Sequence, residues 1–205
     1  MKIYGILFSF LFTFFLFGCG AKYSPLFTID QLEPDFPENS IYNFDYDSLQ
    51  ILWSLGPKSF NLELVNKSSI PIKILWDECV ILGLDGNNYR VVHSGIKYIE
   101  FNSPQIPTVV LPNSKIVDAL FITDGIKYDA YTGWKTSNIL PVCDLKHFQH
   151  VTDCLNRYLD KTFKIALAVE KNSTKKTYIF AFIISGYKIF KYNFITNNET
   201  LIFEK

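Results

Sequence analysis

Arginine is almost missing from this sequence of 205 residues: only Arg90 and Arg157 occur, lysine supplies the rest of the 20 basic residues, and 20 Asp and Glu bring the formal net charge to zero. A neutral chain raises no basic field for a nucleic-acid backbone, and few guanidinium groups means few bidentate contacts to phosphates or base edges. Nucleic acid is therefore excluded as a partner. Methionine occurs only at position 1, which argues against the adaptable grooves that thioethers build. Also missing are a phosphate-binding glycine loop, a dinucleotide glycine pattern, a His-Glu-x-x-His pair and an EF-hand series, the short motifs that would name a cofactor or a metal. No serine sits in a Gly-x-Ser-x-Gly elbow, the turn that exposes a nucleophile in many hydrolases. On these absences the chain is read as non-catalytic and without a cofactor.

Aromatic residues, by contrast, make up 17% of the chain and hydrophobic residues 48%, a mix suited to rigid β packing. Strand signals follow one another from Leu49. Leu49–Leu55 is apolar and stops at Gly56-Pro57, Phe60–Leu64 alternates with period two, and Ile72–Trp76 resumes the alternation behind Pro71, as half-buried strands do. Cys79–Leu84 and Tyr89–Val92 flank Asp85-Gly86-Asn87-Asn88, which reads as a hairpin turn. The stretch 93–114 is a long connection with a short strand at Thr108–Leu111; Val117–Thr123 is a further strand, and Asp129–Pro141 is aromatic and irregular. Phe163–Val169 and Tyr178–Ser185 flank a polar turn at Asn172–Lys176, and Tyr187–Glu204 has room for two short strands around Asn197-Asn198. Leu145, Phe148, Val151, Leu155, Tyr158 and Leu159 follow helical spacing, with Asp144 placed to cap. The expectation is a single all-β domain over residues 41–205, an immunoglobulin-like β-sandwich with a helical insertion near 144–159; a closed or partly open β-barrel is the alternative.

Within the helical insertion Cys143, His147, His150 and Cys154 share one stripe at i, i+4, i+7 and i+11. An unbroken helix would hold the two cysteines about 16 Å apart by its rise, beyond the ~7 Å that a disulfide spans, and one metal ion could not touch all four. So either the helix breaks and Cys143 and Cys154 form a disulfide, or it holds and they do not. His147 and His150 are weak metal candidates, since an i, i+4 pair with a cysteine needs further ligands. Cys79 is the odd cysteine; it is expected to pack in a strand, with a bridge to Cys143 or Cys154 as the alternative. His93 and Ser94 are adjacent and, like Asp77 and Glu78, face opposite sides of an extended chain, so neither pair forms a catalytic unit by itself. Tyr128, Tyr131 and Trp134 lie beside Gly133 in the irregular stretch. Rings of this kind on loops are favoured contact residues, because they bring large area with few rotors to freeze; they are the candidate partner contact.

The start of the chain decides where this domain is placed. Lys2 precedes the uncharged run Ile3–Phe17, which ends in Leu16-Phe17-Gly18-Cys19. As a helix, fifteen residues reach only about 22 Å, short of the ~30 Å hydrocarbon core, and a charged start, a short apolar run and a small residue before the cut mark a removed targeting segment. The pattern resembles the type II signal peptide of bacterial lipoproteins, although Phe17 stands where that family usually has a small residue. The resemblance implies cleavage after residue 18, lipidation of Cys19 with two or three acyl chains, and a mature domain moored in the cell envelope. One chain alone binds a membrane marginally, whereas several anchor it durably. Gly20 follows the cysteine where the inner-membrane retention signal has Asp, which in a two-membrane bacterium favours the outer membrane. Residues 19–40, with Pro25, Pro34 and Pro37, read as a tether or an extended first strand. The function expected is a membrane-anchored binding or structural module whose partner is an envelope protein or other envelope component. An envelope enzyme or metal-handling protein using the His147/His150 region, and an accessory subunit of a surface or secretion assembly, are the alternatives.

Overall fold

The structure, a computed structural model, describes residues 22–33, 42–46, 48–143, 147–193 and 198–205. The leader, Cys19 and the cap residue Asp144 lie outside the described residues. Among the described residues fourteen strands and one α-helix follow in order. The first nine strands are β1 (Lys22–Glu33), β2 (Tyr42–Tyr46), β3 (Leu49–Leu55), β4 (Phe60–Asn66), β5 (Ile72–Ile74), β6 (Val80–Leu82), β7 (Asn88–His93), β8 (Thr108–Val110) and β9 (Ser114–Ile122). After them come β10 (Ile126–Asp129), β11 (Gly133–Thr136), α1 (Phe148–Asn156), β12 (Thr162–Lys171), β13 (Thr174–Asn193) and β14 (Asn198–Glu204). The all-β expectation is met.

Alternation dictates the strands and their facing. In β4, Phe60, Leu62 and Leu64 are fully buried while Asn61 is exposed, and β3 buries Leu49, Ile51 and Trp53 in the same way. Twelve strands join one antiparallel sheet whose main path runs β1-β13-β12-β6-β7-β9-β4-β3-β2, with β14 on β13 and β5 bridging β12 and β8. The sheet curls until its two ends face each other. Trp53 of β3 meets Phe180 of β13 edge-on at 5.5 Å, and Phe60 of β4 meets Phe163 of β12 at 5.4 Å. The packing is thus two-layered, as in a sandwich, but hydrogen bonding is continuous around one side, as in a partly open barrel.

The turn between the layers is made inside β7. Its first three residues pair with β6 (Asn88↔Leu82 to Arg90↔Val80) and its last three pair with β9 (Val91↔Ile122 to His93↔Leu120). A strand that changes partners half-way is how sheets make corners. Beside it, β5 and β6 lie along β12 as one strand interrupted by Leu75–Cys79. Leu75 N–H still donates to Ala168 O (2.9 Å), and Ala168 N–H donates to Cys79 Sγ (3.4 Å). The interruption pushes out a short 3₁₀ turn, Trp76–Glu78, whose Trp76 is buried.

Of the two forms expected for residues 19–40 the structure has the extended first strand, and the helix differs from expectation. Residues 19–40 contain β1, which pairs along β13 from Lys22↔Tyr192 to Glu33↔Ala181; Pro25 is tolerated because β1 is an edge strand. The helix is shorter than residues 144–159 and begins after Cys143. Its Val151 and Leu155 are buried in a second apolar cluster with Tyr187 and Ile189 of β13, against which Tyr23, Phe27, Phe148 and Phe203 pack. Among the described residues no helix is long and apolar enough to cross a membrane.

Candidate functional site

The corner at β7 fixes a surface. Asp77, on the 3₁₀ turn, accepts from Arg90 Nη2 (3.1 Å), from Gln105 N–H (3.0 Å) and from Gln105 Nε2 (3.4 Å). Burial alone would raise the Asp77 pKa, but these bonds from Gln105 and Arg90 outweigh it and hold the carboxyl below its ordinary range. Arg90 also reaches Asn102 O (3.3 Å) and Ser103 O (2.9 Å). Gln105 is buried and donates to Val91 O (2.8 Å), while its Oε1 accepts from His93 N–H (3.2 Å). Residues 94–107, a long connection without strands of its own, are thereby pinned at both ends of their second half. A loop held by backbone carbonyls through one guanidinium keeps its shape.

What that loop presents is Phe101, 6.3 Å from Trp134 and edge-on to it. Trp134 lies on β11, and the stretch read as irregular is here an ordered hairpin. β10 and β11 pair from Ile126↔Thr136 to Asp129↔Gly133, as a two-stranded sheet separate from the main one. Tyr128 and Trp134 are directly opposed in this register and pack edge-on at 5.2 Å, the kind of cross-strand aromatic pair that stabilises a hairpin. The turn is closed by Asp129, whose Oδ1 accepts from Tyr131 N–H (3.0 Å), Thr132 N–H (2.9 Å) and the Thr132 hydroxyl (2.8 Å). The Thr132 hydroxyl bond is the main reason that the Asp129 pKa lies below its ordinary value. Gly133 follows at φ +75°, a left-handed conformation that glycine adopts without strain. Tyr131 at the tip is 98% exposed, Tyr128 65% and nearby Ile99 75%. The structure thus brings Tyr128 and Trp134 together with Phe101, and leaves Tyr131 projecting beyond them.

The other candidates fall elsewhere. Cys143 and Cys154 are joined by a disulfide with Cα atoms 5.8 Å apart, which the late start of α1 permits. His147 and His150 are exposed, with ring centroids 5.2 Å apart. Among the described residues no group of three or more His, Cys, Asp or Glu is placed to hold a metal ion. His93 Nδ1 lies 3.0 Å from Asp118 Oδ2, and the Ser94 hydroxyl donates to Asp118 Oδ1 at 2.6 Å. Histidine and serine therefore share a carboxylate instead of bonding each other, and the His93 ring stacks on Trp76 at 4.5 Å. Nucleophilic catalysis requires the opposite connection, serine to histidine. Asp77 turns to Arg90 and Glu78 pairs with Lys175, so the two acids serve different partners. Cys79 is buried, and desolvation pushes its thiol up to about 12.

Sequence reasoning missed Phe101, Gln105 and Asp118, whose roles come from contacts 12 to 33 residues apart along the chain. Arg90 carried a signal, as one of two arginines. Comparison with family models, with curated proteins and with solved structures finds no match.

Proposed function

We propose that this chain is a membrane-anchored envelope lipoprotein whose β domain is a non-catalytic binding module, with the β10–β11 hairpin and Phe101 as its contact surface. The observation that carries the binding reading is the aromatic cluster on an ordered hairpin, in which Tyr128 and Tyr131 are exposed and half-buried Trp134 packs edge-on against Tyr128. Rings already fixed by the Asp129 turn and by the Arg90-pinned loop lose little freedom when a partner covers them, so more of the contact energy appears as affinity. The partner is an envelope protein or other envelope component.

The anchor rests on the leader and on Cys19. Since β1 begins at Lys22, an acylated Cys19 would hold the first strand within about 10 Å of the lipid at the reach of an extended chain. The domain would sit close to the membrane, in a two-membrane bacterium the outer one, instead of on a long stalk.

Crosslinking in intact cells from a photoreactive residue at Tyr131 tests the contact. A specific adduct is expected, and Trp134→Ala should fold normally and reduce its yield about tenfold or more. A variant that unfolds, or an undiminished adduct, refutes the assignment. A fatty-acid probe tests the anchor independently: wild type is expected to label and Cys19→Ala to remain unlabelled in the soluble fraction. Equal labelling of the two would refute the lipoprotein reading.

A further inference from the structure

We infer that the cavity beside the β6–β7 turn is a subsite for a saccharide. It encloses about 230 Å³ and is walled by Gly83, Asp85 and Tyr89 on one side and by Asn138, Leu140 and Tyr158 on the other. None of the hairpin rings lines it, so this inference stands apart from the proposed contact surface and from the anchor.

The turn builds the cavity wall. Gly83 N–H donates to Asn87 O (2.9 Å) and Gly86 N–H to Gly83 O (3.0 Å). Within this turn Asp85 accepts from the Tyr89 hydroxyl (2.6 Å), the Asn87 side-chain amide (2.7 Å) and Asn87 N–H (3.1 Å). The Tyr89 hydroxyl does most to keep the Asp85 carboxyl below its ordinary pKa, so the rim is ionised at neutral pH. A Cβ at position 83 would lie 2.7 Å from Tyr89 Cε2 and 2.9 Å from Asp85 Oδ1. Glycine there is what lets the ring and the carboxylate close over the backbone.

The lining selects a class of ligand. Two half-buried tyrosine rings and buried Leu140 supply apolar walls, while Asp85 and exposed Asn138 supply polar groups at the mouth. The Asn138 amide has no hydrogen-bond partner among the described residues. A ligand that satisfies both halves has the size of one six-membered ring, a C–H face to lie on a tyrosine, and hydroxyls for the carboxylate and amide. An alkyl chain would desolvate Asp85 and Asn138 without giving them partners. An anion would meet the ionised Asp85, and no basic side chain lines the cavity. Leu140 and Pro141 also border a second cavity of about 320 Å³, on the β1 side, with Pro25, Phe27 and Leu55.

The test is saturation-transfer NMR on the full chain in a polyoxyethylene detergent, which carries neither sugar nor ammonium. The probes are glucose, galactose, mannose, N-acetylglucosamine and tetramethylammonium, each up to about 50 mM. For a ligand of a dozen heavy atoms, a Kd of roughly 1 mM is expected. At least one sugar should receive saturation, strongest on the protons of one ring face. Asn138→Ala, at an exposed position, should fold normally and weaken binding about tenfold, and Tyr158→Ala should remove the face-selective pattern. No transfer to any of the four sugars, transfer unchanged in both variants, or transfer to tetramethylammonium alone overturns the inference.

Discussion

Replacing Asn66 with alanine removes one buried side chain that ties the 68–70 turn after β4 to the backbone of 110–111 at the end of β8. Its Nδ2 donates to Ile70 O (2.8 Å), Val110 O (3.1 Å) and Leu111 O (3.1 Å), and its Oδ1 accepts from Ser68 N–H (3.0 Å) and from the Ser68 hydroxyl (2.6 Å). An amide nitrogen has two hydrogens, so one of them is shared between two of the three carbonyls. Asn66 is 0% exposed. Alanine leaves Ser68 N–H without a partner where water does not reach, at about 1–3 kcal/mol, and removes the buried bond to Val110 O, whose residue still pairs with Ile72, at about 0.5–1.5 kcal/mol, while Ile70 O and Leu111 O are part-buried and regain some hydration. The expected loss is about 3–4 kcal/mol, a large fraction of the 5–15 kcal/mol typical of a domain. With a urea m-value of about 2 kcal/mol/M for this size, the unfolding midpoint should fall by about 1.5–2 M at unchanged slope. Tryptophan fluorescence reads the transition through buried Trp53 and Trp76. Ser68→Ala, which keeps the Asn66 amide, should cost only about 1 kcal/mol. A midpoint shift below about 0.5 M for Asn66→Ala would mean that water satisfies the orphaned groups, and the burial argument would fail.

Two further outcomes follow from the cysteines. Cys79 keeps its proton up to about 12 when folded, against an ordinary value of 9.0, so between those values the unfolded chain loses a proton that the folded chain retains. Stability from this group is full below pH 9 and falls as pH rises, by about 1.4 kcal/mol per pH unit. The stability advantage of wild type over Cys79→Ala should therefore shrink by about 1.4 kcal/mol between pH 8 and pH 10 in denaturant titrations; parallel curves would refute it. The Cys143–Cys154 bridge closes a short loop around a nine-residue helix that is too short to persist alone. Replacing both cysteines with serine should weaken the docking of α1 by about 2–3 kcal/mol, seen as roughly 30- to 150-fold faster amide exchange at Val151 and Leu155. Exchange in the β12–β13 hairpin should not change; equal acceleration there would show that the bridge stabilises the whole domain.

The strands that alternate were legible because one buried face imposes a period of two wherever it occurs. Leu49–Leu55 is found with the limits expected of it, and the polar turn after β12 closes at Asn172-Ser173, both at positive φ, as a two-residue hairpin turn of matching twist requires. Gly186 misled. It reads as a break between strands, yet β13 runs through it opposite Thr28 of β1, and glycine stands there because the backbone of Lys205 lies against it and leaves no room for a Cβ. The β10–β11 hairpin was hidden for a related reason. Its aromatics face one another across a turn that Asp129 closes, so alternation against a core was never the signal.

The amino-acid sequence by itself determined the all-β class, the positions of most turns, and the residue types available for contact, since each of these follows from local period and turn chemistry. The tertiary structure alone decided that β7 changes partners half-way, that Arg90 and Gln105 hold the 94–107 loop so that Phe101 meets Trp134, and that Gly83 lets Tyr89 and Asp85 form a cavity wall. Those arrangements depend on which distant segments the curled sheet brings within a few ångströms, and separation along the chain carries no information about that.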